Sequence, residues 1–248
     1  MSKRRRILIG NWKMYGRLTS GLQLARDLAE LATKNKPLNF DMVICPPYTL
    51  TWPISEIVMG TPVALGGQDC HTATHGAYTG DISAAMLADM GAKYVIVGHS
   101  ERRYGHGETS ELVAQKVNAA QLAGLTTIVC VGETAEQLAS GKTADIISKQ
   151  LRTSLPEKYK IPQLIIAYEP VWAIGTGQQP APADIADVHK IIRKTLGEIG
   201  ETVQVIYGGS VSPVNAETLL LEDEIDGLLV GSASISSDGF WAIGEKFG

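Results

Sequence analysis

Ile7-Leu8-Ile9-Gly10-Asn11-Trp12-Lys13 decides the fold of this chain. The first three residues read as a short strand with no polar face, and a single glycine leads out of it into an amide, an indole and an ammonium. An open doubly wound sheet that holds a dinucleotide would turn here through G-x-G-x-x-G, and this turn has no such pattern. Seven further runs share the character of the first: Met42-Val43-Ile44-Cys45, Val63-Ala64-Leu65, Tyr94-Val95-Ile96-Val97, Thr127-Ile128-Val129-Cys130-Val131, Leu164-Ile165-Ile166-Ala167, Val203-Gln204-Val205-Ile206-Tyr207 and Leu228-Leu229-Val230. Most are continuous apolar runs, as expected of strands buried on both faces. Helical patterns lie between them. Leu22, Ala25, Leu28, Ala29 and Ala32 form one apolar stripe, and Ile185, Val188, Ile191, Ile192 and Leu196 another. Thr134-Ala135-Glu136-Gln137 spells a capping box, and Ser212-Pro213 places a cap residue before a proline suited to a first helical position. Eight strands alternating with helices predict an α/β fold, a closed eight-stranded parallel (β/α)8 barrel.

Composition bounds the partners. The 248 residues are 44% hydrophobic and 19% charged, enough for one sizeable core, and no low-complexity linker divides them. A single domain over residues 1–248 is expected. A net charge of -4 gives no electrostatic case for nucleic acid. The basic cluster Lys3-Arg4-Arg5-Arg6 precedes an apolar run too short for a signal-peptide core, and no segment is long enough to cross a bilayer. Cys45, Cys70 and Cys130 lack metal-type spacing and read as reduced thiols, which points to the cytoplasm.

Ligands of a parallel barrel sit at the C-terminal ends of its strands. Asn11 and Lys13 follow the first run, His99 and Glu101 the fourth, Glu169 the sixth, Gly208-Gly209-Ser210 the seventh and Gly231-Ser232 the eighth. Each alone has an ordinary structural explanation: a solvated lysine, a hydrogen-bonded histidine, a tight glycine turn, a strand-end glutamate under a plain loop. Their convergence on one rim is harder to explain that way. A carboxylate at the buried position of Glu169 gives up hydration and holds a proton more readily, as a general base must. Pro170 keeps it in extended backbone. Ser100-Glu101-Arg102-Arg103 reads as a helical turn starting at His99, whose N-terminus disfavours a charged imidazole. Backbone N–H groups of Gly208-Gly209-Ser210, Gly231-Ser232 and Gly175, with the charge of Lys13, suit a small phosphorylated ligand.

Gly10-Asn11-Trp12-Lys13-Met14, Val97-Gly98-His99-Ser100-Glu101-Arg102-Arg103, Tyr168-Glu169-Pro170-Val171-Trp172-Ala173-Ile174-Gly175-Thr176-Gly177 and Tyr207-Gly208-Gly209-Ser210-Val211 together resemble signatures of the triosephosphate isomerase family. Gly76-Ala77-Tyr78-Thr79-Gly80-Asp81-Ile82-Ser83 is similar to that family's dimer-interface loop. The resemblance runs from Gly10 to about Ser234. It implies interconversion of dihydroxyacetone phosphate and glyceraldehyde 3-phosphate through an enediolate, with no cofactor and no metal. On that resemblance Glu169 moves the proton and His99 polarises and protonates the oxygens. Lys13 and Asn11 bind substrate and stabilise the enediolate, while Gly175, Ser210, Gly231 and Ser232 bind phosphate. Glu101 supports Lys13, and Tyr207 with Ser210 holds a lid, Val171 to Gly177, which shields the intermediate from water. A homodimer through the Gly76–Ser83 loop is implied as well. Three departures stand out. Gly231-Ser232 replaces a usual Gly-Gly, so the second position is expected to lose access to positive φ. Gln178-Gln179-Pro180 alters the second hinge of the lid, and Tyr15 replaces a common Asn or His. Two alternatives remain open here: an isomerase of a four-carbon ketose phosphate, and a non-catalytic barrel that binds a phosphorylated metabolite.

Overall fold

A computed structural model describes residues 4–174 and 178–248. Eight parallel strands close into a barrel in sequence order, β1 pairing with both β2 and β8. They are β1 Arg6–Asn11, β2 Phe40–Cys45, β3 Val63–Gly67, β4 Tyr94–Val97, β5 Thr126–Val131, β6 Leu164–Tyr168, β7 Gln204–Tyr207 and β8 Gly227–Val230. Helices α1 Leu18–Lys34, α2 Tyr48–Val58, α3 Ala84–Asp89, α4 Ser100–Gly105, α5 Ser110–Leu122, α6 Ala135–Ala139, α7 Thr143–Ser154, α8 Pro182–Leu196, α9 Ala216–Leu220 and α10 Ser237–Gly244 connect and surround them.

The continuous apolar runs have the expected cause. Alternate residues pack two separate cores. Ile7, Ile9, Val43, Cys45, Ile96 and Ile128 fill the barrel interior, while Leu8, Met42, Ile44, Val95 and Val129 pack outward against the helices. Gly21 lets α1 approach α2, since a Cβ there would stand 2.5 Å from Leu50 Cδ1.

Two helical expectations shift. The buried face of α8 holds Ile185, Val188 and Ile192 but also His189 and Arg193, while Ile191 and Leu196 are only partly buried. The two polar residues go inside because Arg193 meets Glu224 at 2.7 Å and Asp226 at 2.6 Å, and His189 Nδ1 lies 3.0 Å from the Glu224 carbonyl oxygen. Ser212-Pro213 does not start a helix. It enters a turn, and α9 begins only at Ala216. Asn215 Oδ1 accepts the Ser212 N–H at 2.8 Å, so the side chain that organises this turn is the asparagine. At Thr134 both bonds of the capping box form.

Candidate active site

Alternation along the strands aims several of the expected groups at one rim. Ile7 and Ile9 point into the barrel, so Asn11 does too; Ile165 and Ala167 set the direction of Glu169, and Leu229 that of Gly231.

Glu169 is 2% exposed. Its N–H donates to the Val131 carbonyl at 2.8 Å, and Gly132 is required beside it, because a Cβ there would stand 1.7 Å from the Glu169 carbonyl oxygen. One carboxylate oxygen, Oε2, accepts the Ser100 N–H at 3.1 Å, and the other, Oε1, lies 3.2 Å from His99 Nε2. Below it, burial first and then the Glu169 charge push the Cys130 thiol up, so the sulfur keeps its proton.

His99 precedes α4 and caps it: Nδ1 accepts the Glu101 N–H at 3.2 Å. A ring nitrogen that accepts carries no proton, so the imidazole is neutral with its hydrogen on Nε2, the nitrogen facing Glu169. One helix start therefore fixes the tautomer of His99 and supplies the Ser100 N–H to Glu169.

Lys13 has φ 52°, the single non-glycine positive φ among the described residues. Its Nζ lies 2.5 Å from Glu101 Oε1, and its N–H donates to Asn11 Oδ1 at 3.0 Å. Gln68 Nε2 donates to the Lys13 carbonyl at 2.8 Å and to the Cys45 carbonyl at 2.9 Å. Gly231 lies beside the lysine, where a Cβ would make only ordinary van der Waals contact, 3.5 Å from Lys13 Cε. Gly231 has φ -86°, and Ser232, exposed, opens a short 3-10 turn over Ser232–Ile235. Neither residue has a positive φ. The expected conformational cost of serine at 232 is therefore absent.

Tyr207 is 1% exposed and folds back over Gly209, where a Cβ would stand 2.2 Å from its hydroxyl. Burial pushes the phenol up to about 12, eased by the backbone N–H of Ser210. Ser210 also accepts at its carbonyl from Asn215 Nδ2 at 2.8 Å. Gly175 lies outside the described residues, as do Thr176 and Gly177. The segment leading to them is a 3-10 turn over Val171–Ala173. It is tied down by Glu133, whose Oε1 accepts from Tyr168 Oη at 3.0 Å and from Trp172 Nε1 at 2.9 Å.

A cavity of about 40 Å³ touches Asn11, Lys13, His99, Glu169, Ile174 and Gly231. A second, of about 220 Å³, shares Asn11, Lys13 and His99 and extends over Gln68, Glu101 and Arg102. A larger one of about 630 Å³, lined by Trp52, Met59 and Met90, lies away from all of these groups. Among the described residues no three His, Cys, Asp or Glu side chains are placed to hold a metal ion.

Sequence reasoning missed Gln68 and Glu133, as well as a buried ionic cluster behind the rim. There Lys116 Nζ meets Asp69 at 2.7 Å and Glu108 at 2.6 Å, and Arg102 Nε meets Glu108 at 2.5 Å. The available signal was position: Gln68 and Asp69 follow β3 directly, and Glu133 follows β5 by two residues, at the same rim.

A carboxylate, a neutral imidazole N–H, an ammonium and an amide around one small cavity at the C-terminal rim of a (β/α)8 barrel define an acid–base enzyme of the barrel class. The family model described as triosephosphate isomerase matches residues 6–247. A triosephosphate isomerase of Granulibacter bethesdensis is 49% identical, with 97% of this chain and 98% of that protein covered. One of Afipia carboxidovorans is 47% identical, with 98% of each covered. The crystal structure of triosephosphate isomerase from Bartonella henselae superposes with a TM-score of 0.90 at 41% identity, covering 98% of this chain and 99% of that one. The chain belongs to the triosephosphate isomerase family.

Proposed function

We propose that this isomerase interconverts dihydroxyacetone phosphate and D-glyceraldehyde 3-phosphate through an enediolate, without cofactor or metal. The observation that carries the mechanism is the Glu169–His99 pair: a buried carboxylate oxygen 3.2 Å from the imidazole nitrogen that holds the proton. Glu169 takes a proton from the carbon beside the carbonyl. The C–H electron pair becomes a carbon–carbon double bond, and the carbonyl π pair moves to oxygen, where the His99 Nε2–H meets it. His99 gives its Nε2 proton to that oxygen and takes up the proton of the neighbouring hydroxyl, whose oxygen becomes the new carbonyl, while Glu169 returns its proton to the former carbonyl carbon. Lys13 and Asn11 bind the substrate and stabilise the negative charge, with Glu101 holding Lys13 between turnovers. The phosphate rests on N–H groups of Gly175, Ser210, Gly231 and Ser232.

Ile174 lines the cavity of about 40 Å³ together with Glu169, His99 and Lys13, so the segment that starts at Val171 borders the reacting groups. This supports Val171 to Gly177 as a lid, with Tyr207 and Ser210 beneath it and Gln178-Gln179-Pro180 as its second hinge. We also infer a homodimer through the Gly76–Ser83 loop. Met14 is 96% exposed, Tyr78 49% and Met86 48%, and the 220 Å³ cavity beside Met14 is large enough for the tip of a partner's loop at Thr79. The whole of 1–248 is read as one domain. Its three cysteines are buried and unpaired, in keeping with the cytoplasm.

Steady-state kinetics with the triose phosphates and with a four-carbon ketose phosphate test the substrate. Preference for the triose is expected, and preference for the longer sugar would overturn it. Exchange of the transferred proton with deuterated solvent checks the enediolate. A barrel that only binds would show saturable substrate binding with no exchange.

A further inference from the structure

A non-glycine residue in the left-handed region carries steric strain and stays there only when its surroundings over-determine it. Three bonds do so at Lys13. Its N–H is held by Asn11 and its ammonium by Glu101, both members of the site already described. The third bond comes from Gln68, which reaches the Lys13 carbonyl at 2.8 Å from the end of β3. The orientation of this amide is settled by chemistry: both neighbours are carbonyl oxygens, so only its NH₂ group can face them. The two bonds are not of equal consequence. The Cys45 carbonyl also accepts the Trp12 N–H at 3.1 Å, so it keeps a partner if Gln68 is lost. Loss of Gln68 therefore falls on the peptide that follows the Lys13 α-carbon.

We propose that Gln68 is a positioning residue, which locks Lys13 in its positive-φ conformation and so aims the ammonium into the site. This rests on the isomerase reading above, in which Lys13 acts on the substrate. With a side chain at residue 68 that cannot donate, the strained backbone relaxes toward negative φ and swings Nζ away from Glu101.

Gln68→Met keeps the length and removes both donors. It should lower kcat/KM about 10- to 100-fold, with KM raised and kcat lowered together, as a misplaced charge does. In a Lys13→Ala background the same substitution should cost less than about threefold, because nothing remains to be aimed. Equal losses in the two backgrounds would show a merely structural role and overturn the proposal, as would wild-type kinetics for Gln68→Met. Gln68→Asn, a donor one methylene short, carries the same cycle should the methionine variant fold poorly. A crystal structure of either variant gives a second readout independent of the reaction. Residue 13 should leave the left-handed region, and a φ still near that of the parent would overturn the lock. If the parent protein lacks isomerase activity, that result strikes the functional reading, while the crystallographic readout still decides on the lock.

Discussion

At the scale of single residues, the site is built as much by absent side chains as by present ones. Gly208 has no positive φ, so alanine could take its backbone without strain. A Cβ there would nevertheless stand 2.9 Å from Glu169 Cγ and 3.3 Å from Oε1. Gly208→Ala should therefore push the carboxylate off its position. We expect kcat to fall at least about tenfold while stability drops by about 1–3 kcal/mol, the ordinary cost of overpacking. A thermal melt and steady-state kinetics on the same sample separate the two, and an unchanged kcat would show that Glu169 tolerates displacement. Glu169→Asp makes the opposite change by retracting the base one methylene, and should lower kcat about 100-fold or more with a small effect on KM. A near-normal kcat would remove Glu169 from the role of base. Asn11, His99 and Glu169 were legible because each is a chemical group at the end of an apolar run. Gln68 was not, because its work is done by two bonds to carbonyls whose residues lie 55 and 23 positions away, and distant pairings leave no local pattern.

At the scale of elements, local signals succeeded where the bond they describe is local. The capping box at Thr134 and the helical turn from His99 are made within three residues, and both appear as read. The eight strand runs lay within a residue or two of the observed bounds, because burial on both faces leaves few other residues possible. The start of α9 was misplaced because Ser212-Pro213 has the chemistry of a helix start while Asn215 captures the Ser212 N–H into a turn first. The segment from His71 to Ser83 is closed on itself in a way the sequence does not advertise. His71 donates its N–H to the Ile82 carbonyl at 2.8 Å, bridges Ser83, and stacks on Tyr78 with ring centroids 4.1 Å apart. The imidazole thus holds the loop that the dimer reading places against the neighbouring subunit. His71→Ala should weaken dimerisation about tenfold, the worth of one aromatic pair, measured by sedimentation velocity across a dilution series. An unaltered dissociation constant would mean that the loop keeps its shape without the stack.

At the scale of the whole molecule, the two ends of the barrel are held differently. The C-terminal rim gathers its charged and polar groups around the cavities of the site, whereas at the N-terminal end a buried ionic network ties α8 and the start of β8 to the start of the chain. There Arg193 meets Asp226 at 2.6 Å and Glu224 at 2.7 Å, and Arg4 reaches Asp226 at 2.7 Å from the start of the chain. This network joins residues as far as 222 positions apart, so none of it was legible locally. Within it His189 is 0% exposed, and burial, with the charge of Arg193 beside it, lowers its pKa to about 4. Its Nδ1 lies against the Glu224 carbonyl, its Nε2 has no partner among the described residues, and its ring stands nearly perpendicular to that of Tyr168. In the unfolded chain a histidine takes up its proton near pH 6.5, but in the folded chain only near pH 4. Above pH 6.5 both states are neutral and His189 contributes nothing to pH dependence. As the pH falls from there toward 4, the unfolded state binds the proton alone and stability is lost. The loss totals roughly 3 kcal/mol and levels off once the folded state is protonated too. His189→Gln cannot take up that proton, so its stability should fall less than the parent's between pH 7.5 and 4.5, by about 2–3 kcal/mol. Urea unfolding at both pH values and one fixed protein concentration gives the four numbers needed, whatever the variant costs at neutral pH. Equal pH-dependent losses in the two proteins would show that the buried imidazole is protonated as readily as a free one, and that the ionic network around it admits the charge.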